Sequence, residues 1–174
     1  MKRWMLSLLA VLAIFAGCSL NRGNNIRSIS EPSDLIGEPS QIHIVLNSQE
    51  MILDSNTEEY EEILGLLKDR FPKSPEKLQQ AQLAILWADQ NGLNWDMMCE
   101  QFDFLQLRYE EPQTITMEFK EKDAPDYTIT FDELVFPLSE HADIFCVATE
   151  QAGIRCYGPL NRDCIDSIRS YWES

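Results

Sequence analysis

Between residues 102 and 157 the chain is a succession of short strand-like runs, one of which switches hydrophobicity at every residue, and this limits the folds open to it. Ile115, Met117 and Phe119 alternate with Thr114, Thr116 and Glu118, the period of a strand with one wet and one buried face. Strand-like runs flank it at 102–109 and 127–136, and two more at 144–148 and 154–157 surround Gln151-Ala152-Gly153. The connections are short: 110–113 reads as a turn and 120–126 as a charged turn. Consecutive strands joined this way pair antiparallel, so the sequence predicts a meander. Within the first run the apolar phase slips between Phe104 and Leu105, which marks either a bulge or burial on both faces.

The first half mixes both periods. Residues 41–46 read as a strand and 51–53 as its hairpin return, with Asn47-Ser48 as turn chemistry. Ser55 with Glu58, or Asn56 with Glu59, offers a capping box. A helix follows that sets Tyr60, Ile63, Leu64, Leu67 and Phe71 on one face and ends at Pro72. Ser74-Pro75 opens a second helix, with Leu78, Ala81, Ile85 and Ala88 down one side and Asn91-Gly92 as its stop. Asn161 caps a last helix, where Leu160 and Ile165 hold staple positions and Ile165, Ile168 and Trp172 face inward. The expectation is an α+β single domain over 41–174, an antiparallel meander sheet packed against about three helices.

Ahead of that domain stands a different kind of sequence. Lys2 and Arg3 precede an apolar run over 4–16, long enough for a signal peptide and too short to span a bilayer. Phe15-Ala16-Gly17-Cys18-Ser19 resembles the lipobox of bacterial lipoproteins, although the usual form opens on Leu or another aliphatic rather than Phe. The resemblance implies that 1–17 is a lipoprotein signal peptide and that Cys18 carries a covalent diacylglycerol lipid. It implies a chain held at the cell membrane on its extracytoplasmic face. Two acyl chains anchor stably where one exchanges. Residues 18–40, rich in Ser, Asn, Gly and Pro, then read as the lipidated cysteine and a flexible tether. The body, with Tyr157-Gly158-Pro159-Leu160 leading into a helix, loosely resembles small uncharacterised lipoproteins of Gram-positive anaerobes. That resemblance supplies no catalytic residues.

Charge narrows the partners. The 174-residue chain carries 14 basic and 29 acidic side chains; without Lys2 and Arg3 the mature net charge is −17. Such a surface repels phosphate backbones, so nucleic acid is excluded as a partner and cationic groups are favoured.

Cysteines and carboxylates supply the remaining candidates. Cys99, Cys146, Cys156 and Cys164 follow Cys18, and an exported chain can oxidise them. A hairpin centred on Gln151 sets Cys146 opposite Cys156 and makes them a candidate disulfide, leaving Cys99 for Cys164; buried reduced thiols are the alternative. His141 with Asp143 could ligate a metal and His141 with Cys146 could act as base and nucleophile, but a lone histidine in an acidic loop is more often simply solvated. His43 reads as a surface position on its strand. Glu121, Asp123 and Asp126 do not follow the EF-hand spacing, and no zinc spacing occurs, so no metal and no cofactor beyond the lipid is expected. Glu58-Glu59, Glu61-Glu62, Glu110-Glu111 and Asp132-Glu133 read as solvated helix faces and turns. Trp87, Trp95, Tyr171 and Trp172 read as core rather than a sugar platform.

The functional expectation is a membrane-tethered extracytoplasmic module that binds a protein or another envelope component. Asp132, Glu133, Glu140 and Asp143 are its candidate partner-binding residues. The alternative is a cell-envelope hydrolase whose carboxylates only the fold brings together.

Overall fold

The computed structural model describes residues 26–81, 88–89, 92–93, 102–117, 127–139, 141–149 and 153–173. In chain order the elements are β1 (Ile26–Ile29), a 3-10 helix (Pro32–Leu35), β2 (Gln41–Leu46), β3 (Gln49–Asp54), α1 (Glu58–Lys68), a second 3-10 helix (Pro75–Lys77) and β4 (Gln79–Ala81). There follow β5 (Ala88–Asp89), β6 (Gly92–Leu93), β7 (Phe104–Met117), β8 (Tyr127–Pro137), β9 (Phe145–Thr149), β10 (Gly153–Gly158) and α2 (Ile165–Glu173). Eight strands make one sheet, in the order β3-β2-β7-β8-β9-β10-β4 with β1 also on β7. Every pairing in it is antiparallel except that of β1 with β7.

The expected α+β balance with about three helices is therefore corrected. The described residues form a mainly β protein with a small helical part, α1 and α2. The difference arises at the second expected helix. After Pro75–Lys77 the chain extends, and Gln79, Gln80 and Ala81 pair with Gly158, Tyr157 and Cys156. β10 would otherwise present an open edge, and pairing that edge outweighs a helical apolar period. The rest of that expected helix, residues 82–87, lies outside the described residues, as do Trp87 and Trp95.

Three further readings shift. Residues 110–113 do not turn the chain: β7 runs through them as one strand. Between Arg108 and Gln113 its register slips against β8, so that residues 109–112 face Asp132 alone. The bulge thus falls here, while Phe104 and Leu105 are both buried because both faces of the sheet are covered at that point. The stretch expected as tether holds, from residue 26, a strand on β7 and a 3-10 helix whose Leu35, like the adjoining Ile36, is fully buried. Only residues 19–25 separate that strand from Cys18. Helix α1 is capped by Thr57, whose Oγ1 accepts from Tyr60 N at 3.3 Å, rather than by Ser55 or Asn56.

Other local readings are matched. Asn47 and Ser48 have φ of 50° and 60°, the left-handed pair that closes a tight two-residue hairpin between β2 and β3. Asn47 N donates to Asp103 Oδ1 at 2.8 Å, fixing that turn to the approach of β7. Leu160, Ile165 and Ile168 are buried as expected. Asn161 does not cap the last helix as expected: its Oδ1 accepts from Asp163 N in a turn that precedes it, and the helix begins at Ile165.

The main core lies on one face of the sheet. Tyr60, Ile63, Leu64 and Leu67 of α1 and Ile168 of α2 join Ile42, Ile44, Leu105, Leu107, Leu134 and Phe136 from the strands. Aromatic rings run across it, Phe136 stacked on Phe145 at 5.7 Å and Phe145 on Tyr157 at 5.6 Å. A smaller cluster of Val45, Phe104, Val135, Ile144, Cys146 and Cys156 occupies the opposite face.

Candidate functional site

Where β7 bulges, three segments distant in sequence meet. Residues 37–40 lead into β2, α1 begins at Glu58, and residues 109–113 of β7 swing outward. Between them is a groove of about 670 Å³ lined by Glu38, Tyr60, Glu61, Lys68, Tyr109, Glu110 and Glu111, among others. Its carboxylates outnumber its one lysine, so the groove is a field of negative charge.

The floor is set by two phenols. Tyr109 Oη donates to Ile36 O at 2.6 Å, and Tyr60 Oη donates to Pro39 O. Burial pushes both phenols above the ordinary range, with the Glu61 and Glu38 carboxylates adding to the rise at Tyr60. Both therefore stay protonated at neutral pH and hold residues 36–39 in place. Tyr109 also meets Phe131 edge-on at 5.4 Å. Gly37 makes the rim close: its φ is +56°, and a Cβ there would lie 2.7 Å from the Arg27 guanidinium, which donates to Asp34 O at 2.8 Å. The left-handed backbone favours glycine there, and a side chain would displace the Arg27 guanidinium from its place over residues 34–37.

At the opposite end of α1, Arg70 is fully buried. Its Nε donates to Asn161 O at 3.2 Å, its Nη2 donates to Ala142 O, and its own carbonyl accepts from Asn161 N at 2.7 Å. The guanidinium lies 5.9 Å from the Phe136 ring centroid. Burial lowers its pKa to about 10; Cys164 and Asp143 oppose that shift, and Arg162 adds to it. It remains a cation at neutral pH and clamps the connection before β9 to the connection before α2. Beside it, Gly158 admits no Cβ, which would lie 2.7 Å from Asp143 O.

The expected site residues are dispersed. Asp132 and Glu133 sit mid-strand in β8, with Glu133 opposite Arg108 and Ala148. Asp143 is exposed in the loop before β9, where its carbonyl accepts from Leu160 N. Glu140 lies outside the described residues, as do Cys18, Cys99, Glu121, Asp123 and Asp126. Cys146 and Cys156 are brought together: they pair directly across β9 and β10, sulfurs 2.7 Å apart. His141 is exposed in a left-handed turn, whereas the Cys146 thiol is buried and engaged with Cys156, so these two form no base–nucleophile pair. His43 is buried rather than at the surface, because the second face of the sheet is itself covered; its Nε2 lies 2.9 Å from Glu50 Oε2. Among the described residues no three His, Cys, Asp or Glu side chains are grouped to hold a metal ion.

The groove was not legible as a site. Its carboxylates read in sequence as parts of a tether, a helix face and a turn. The signal that could have found it is a repeated Tyr-Glu step, Tyr60-Glu61 and Tyr109-Glu110, placing a buried or half-buried phenol beside an exposed carboxylate twice. No family model matches the chain, and no curated protein or solved structure matches it either.

Proposed function

We propose that this chain is a lipid-anchored binding module of the cell envelope, and that its groove beside the β7 bulge takes a cationic segment of a protein partner. The observation that carries the reading is the convergence of Glu38, Glu61, Glu110 and Glu111 from three segments on one groove. Clefts of one sign concentrate ligands of the other and speed their capture. The phenols beneath are already committed to backbone carbonyls, so they stiffen the wall rather than offer chemistry. The anchor is supported by the 15–19 lipobox, and the short span of residues 19–25 would hold the groove close to the lipid surface.

The test is a titration of the intact lipoprotein, extracted from membranes, with an oligolysine peptide over a salt series. Affinity should fall as salt rises, and Glu110→Lys with Glu111→Lys should weaken it about tenfold. A salt-insensitive complex unaffected by the reversals would remove the reading. In parallel, Cys18→Ala should abolish incorporation of a fatty-acid label; unchanged labelling would end the anchor. The same convergence of carboxylates also suits an envelope hydrolase. Turnover of a peptidoglycan or peptide substrate, lost on one Glu→Gln change in the groove, would put that reading in place of the first.

A further inference from the structure

The binding reading leaves one pair of side chains unused. Cys146 on β9 and Cys156 on β10 are partners in the antiparallel register, on the face away from α1 and α2. Their sulfurs are 2.7 Å apart as thiols, and the two residues are only 1% and 3% exposed. Val45, Phe104, Val135 and Ile144 surround them. We propose that Cys146 and Cys156 are a disulfide site that is oxidised while the exported chain folds, and that the finished fold seals the bond from further exchange.

Among the described cysteines the geometry favours this pair. Residues directly opposite in an antiparallel ladder hold their Cβ atoms about 4.5–5.5 Å apart, and a disulfide needs about 3.5–4.5 Å. The sulfurs already lie 2.7 Å apart, so a slight approach of β9 and β10 within the existing register brings them to bonding distance. Cys164, at the approach to α2, belongs to neither strand and is half-buried.

The oxidant is an external disulfide, either a small molecule such as oxidised glutathione or an oxidoreductase. One cysteine thiolate attacks a sulfur of that disulfide, breaking its S–S bond and releasing one thiolate. The second cysteine thiolate then attacks the mixed disulfide, forming the Cys146–Cys156 bond and releasing the other. Two electrons pass to the external disulfide, and the two cysteine protons end on its thiols. Only the availability of such an oxidant rests on the extracytoplasmic reading above.

Timing follows from burial. The thiolate is the attacking species. In the folded reduced protein the hydrogen bond to Cys156, followed by burial, pushes the Cys146 thiol well up. The same burial keeps an external disulfide from reaching either sulfur. Oxidation therefore belongs to the unfolded or partly folded chain, and the folded reduced and folded oxidised forms do not interconvert readily.

The experiment uses full-length protein from its native envelope, denatured in an alkylating reagent without reductant and then cut with trypsin. Cleavage after Arg155 places the two cysteines in separate peptides, so their bond appears as one linked pair lighter than the free peptides by two hydrogens. That linked pair is the expected result. Both cysteines alkylated, or either linked to another cysteine, would overturn the pairing. A second measurement treats the oxidised protein with reduced glutathione, native and in denaturant. Reduction should be at least about a hundredfold slower in the native state, since attack on a buried disulfide requires opening of the fold. Equal rates would overturn the seal. Unchanged labelling in the Cys18→Ala test would remove the anchor alone; the pairing is then read from reduced protein refolded in oxidised glutathione and mapped in the same way, where the linked pair is again expected and free or differently linked cysteines would overturn it.

Discussion

The two halves of β7 are one strand with two environments. Over Phe104, Leu105, Gln106 and Leu107 every side chain is buried, because α1 and its neighbours cover one face and the second cluster covers the other. Over Thr114, Ile115, Thr116 and Met117 only alternate residues are buried. There Thr114 Oγ1 meets Thr130 Oγ1 at 3.2 Å and Thr116 Oγ1 meets Thr128 Oγ1 at 3.0 Å, a hydroxyl ladder on the open face. The bulge at 109–112 is the boundary between the halves, and the groove opens at that boundary. A sheet that is closed at one end and one-sided at the other leaves a place for a site at the seam.

The largest effect should come from the closed half. Leu107 is fully buried in the main core, so Leu107→Ala removes apolar contact and leaves a cavity. The expected cost is about 3–4 kcal/mol, read as a shift in the urea midpoint at constant slope. A cost near zero would mean that this half of the sheet is not packed on that face. Arg70 comes next. It lies over Phe136, which pairs with Leu105 of the closed half. Arg70→Met keeps the stem and strands the carbonyls of Asn161 and Ala142, at an expected cost of about 2–3 kcal/mol. Stability equal to wild type would show that water replaces the clamp.

The same contrast explains what the sequence could and could not disclose. Thr114 to Met117 was legible as a strand because one face is wet, so polarity alternates and the period is visible. The late hairpin was legible because Cys146 and Cys156 are equidistant from Gln151, and the register follows that symmetry. His43 was misread for the opposite reason: alternation put it on the outward face, but periodicity within one strand carries no information about what covers that face. β4 was misread because Gln79–Ala81 is extended only by virtue of the β10 edge beside it, a contact between residues far apart in sequence. The groove was hidden for the same reason, since Glu38, Glu61 and Glu110 become neighbours only once β7 pairs with both β2 and β8.

At the seam itself the expected effect is one of pH. Tyr60 and Tyr109 hold their protons above the ordinary phenol value of 10.0. Groups whose pKa is raised by folding lend stability that is complete below the unfolded value and is lost as pH climbs past it. Arg70 runs the other way: folding lowers its pKa to about 10, so the cost of burying its charge is present at neutral pH and eases as pH rises through that value. Stability should therefore fall above pH 10 with a slope set by the phenols and partly offset by Arg70. Tyr109→Phe should flatten that slope and remove one late-titrating group from the ultraviolet tyrosinate titration. An unchanged slope, with the lost tyrosinate signal falling near the ordinary phenol value rather than late, would show that Tyr109 ionises freely and that the groove floor is open to solvent.

The smallest effect belongs to the open half, and it bears on whether that half is a scaffold or a surface in use. Thr116→Val keeps shape and β-branching but removes the hydroxyl that meets Thr128. In a sheet face exposed to water the lost hydrogen bond is replaced by solvent at Thr128, and valine has strand propensity close to threonine. The net change in stability should stay within about 0.5 kcal/mol, against several for Leu107→Ala on the same strand. Oligolysine binding should not change, because the ladder lies outside the groove lining. A cost above about 1.5 kcal/mol would place the ladder in a covered environment and erase the difference between the halves. A loss of binding at unchanged stability would instead extend the docking surface from the groove onto the threonines, across Ser28 of β1, which pairs beside Thr116.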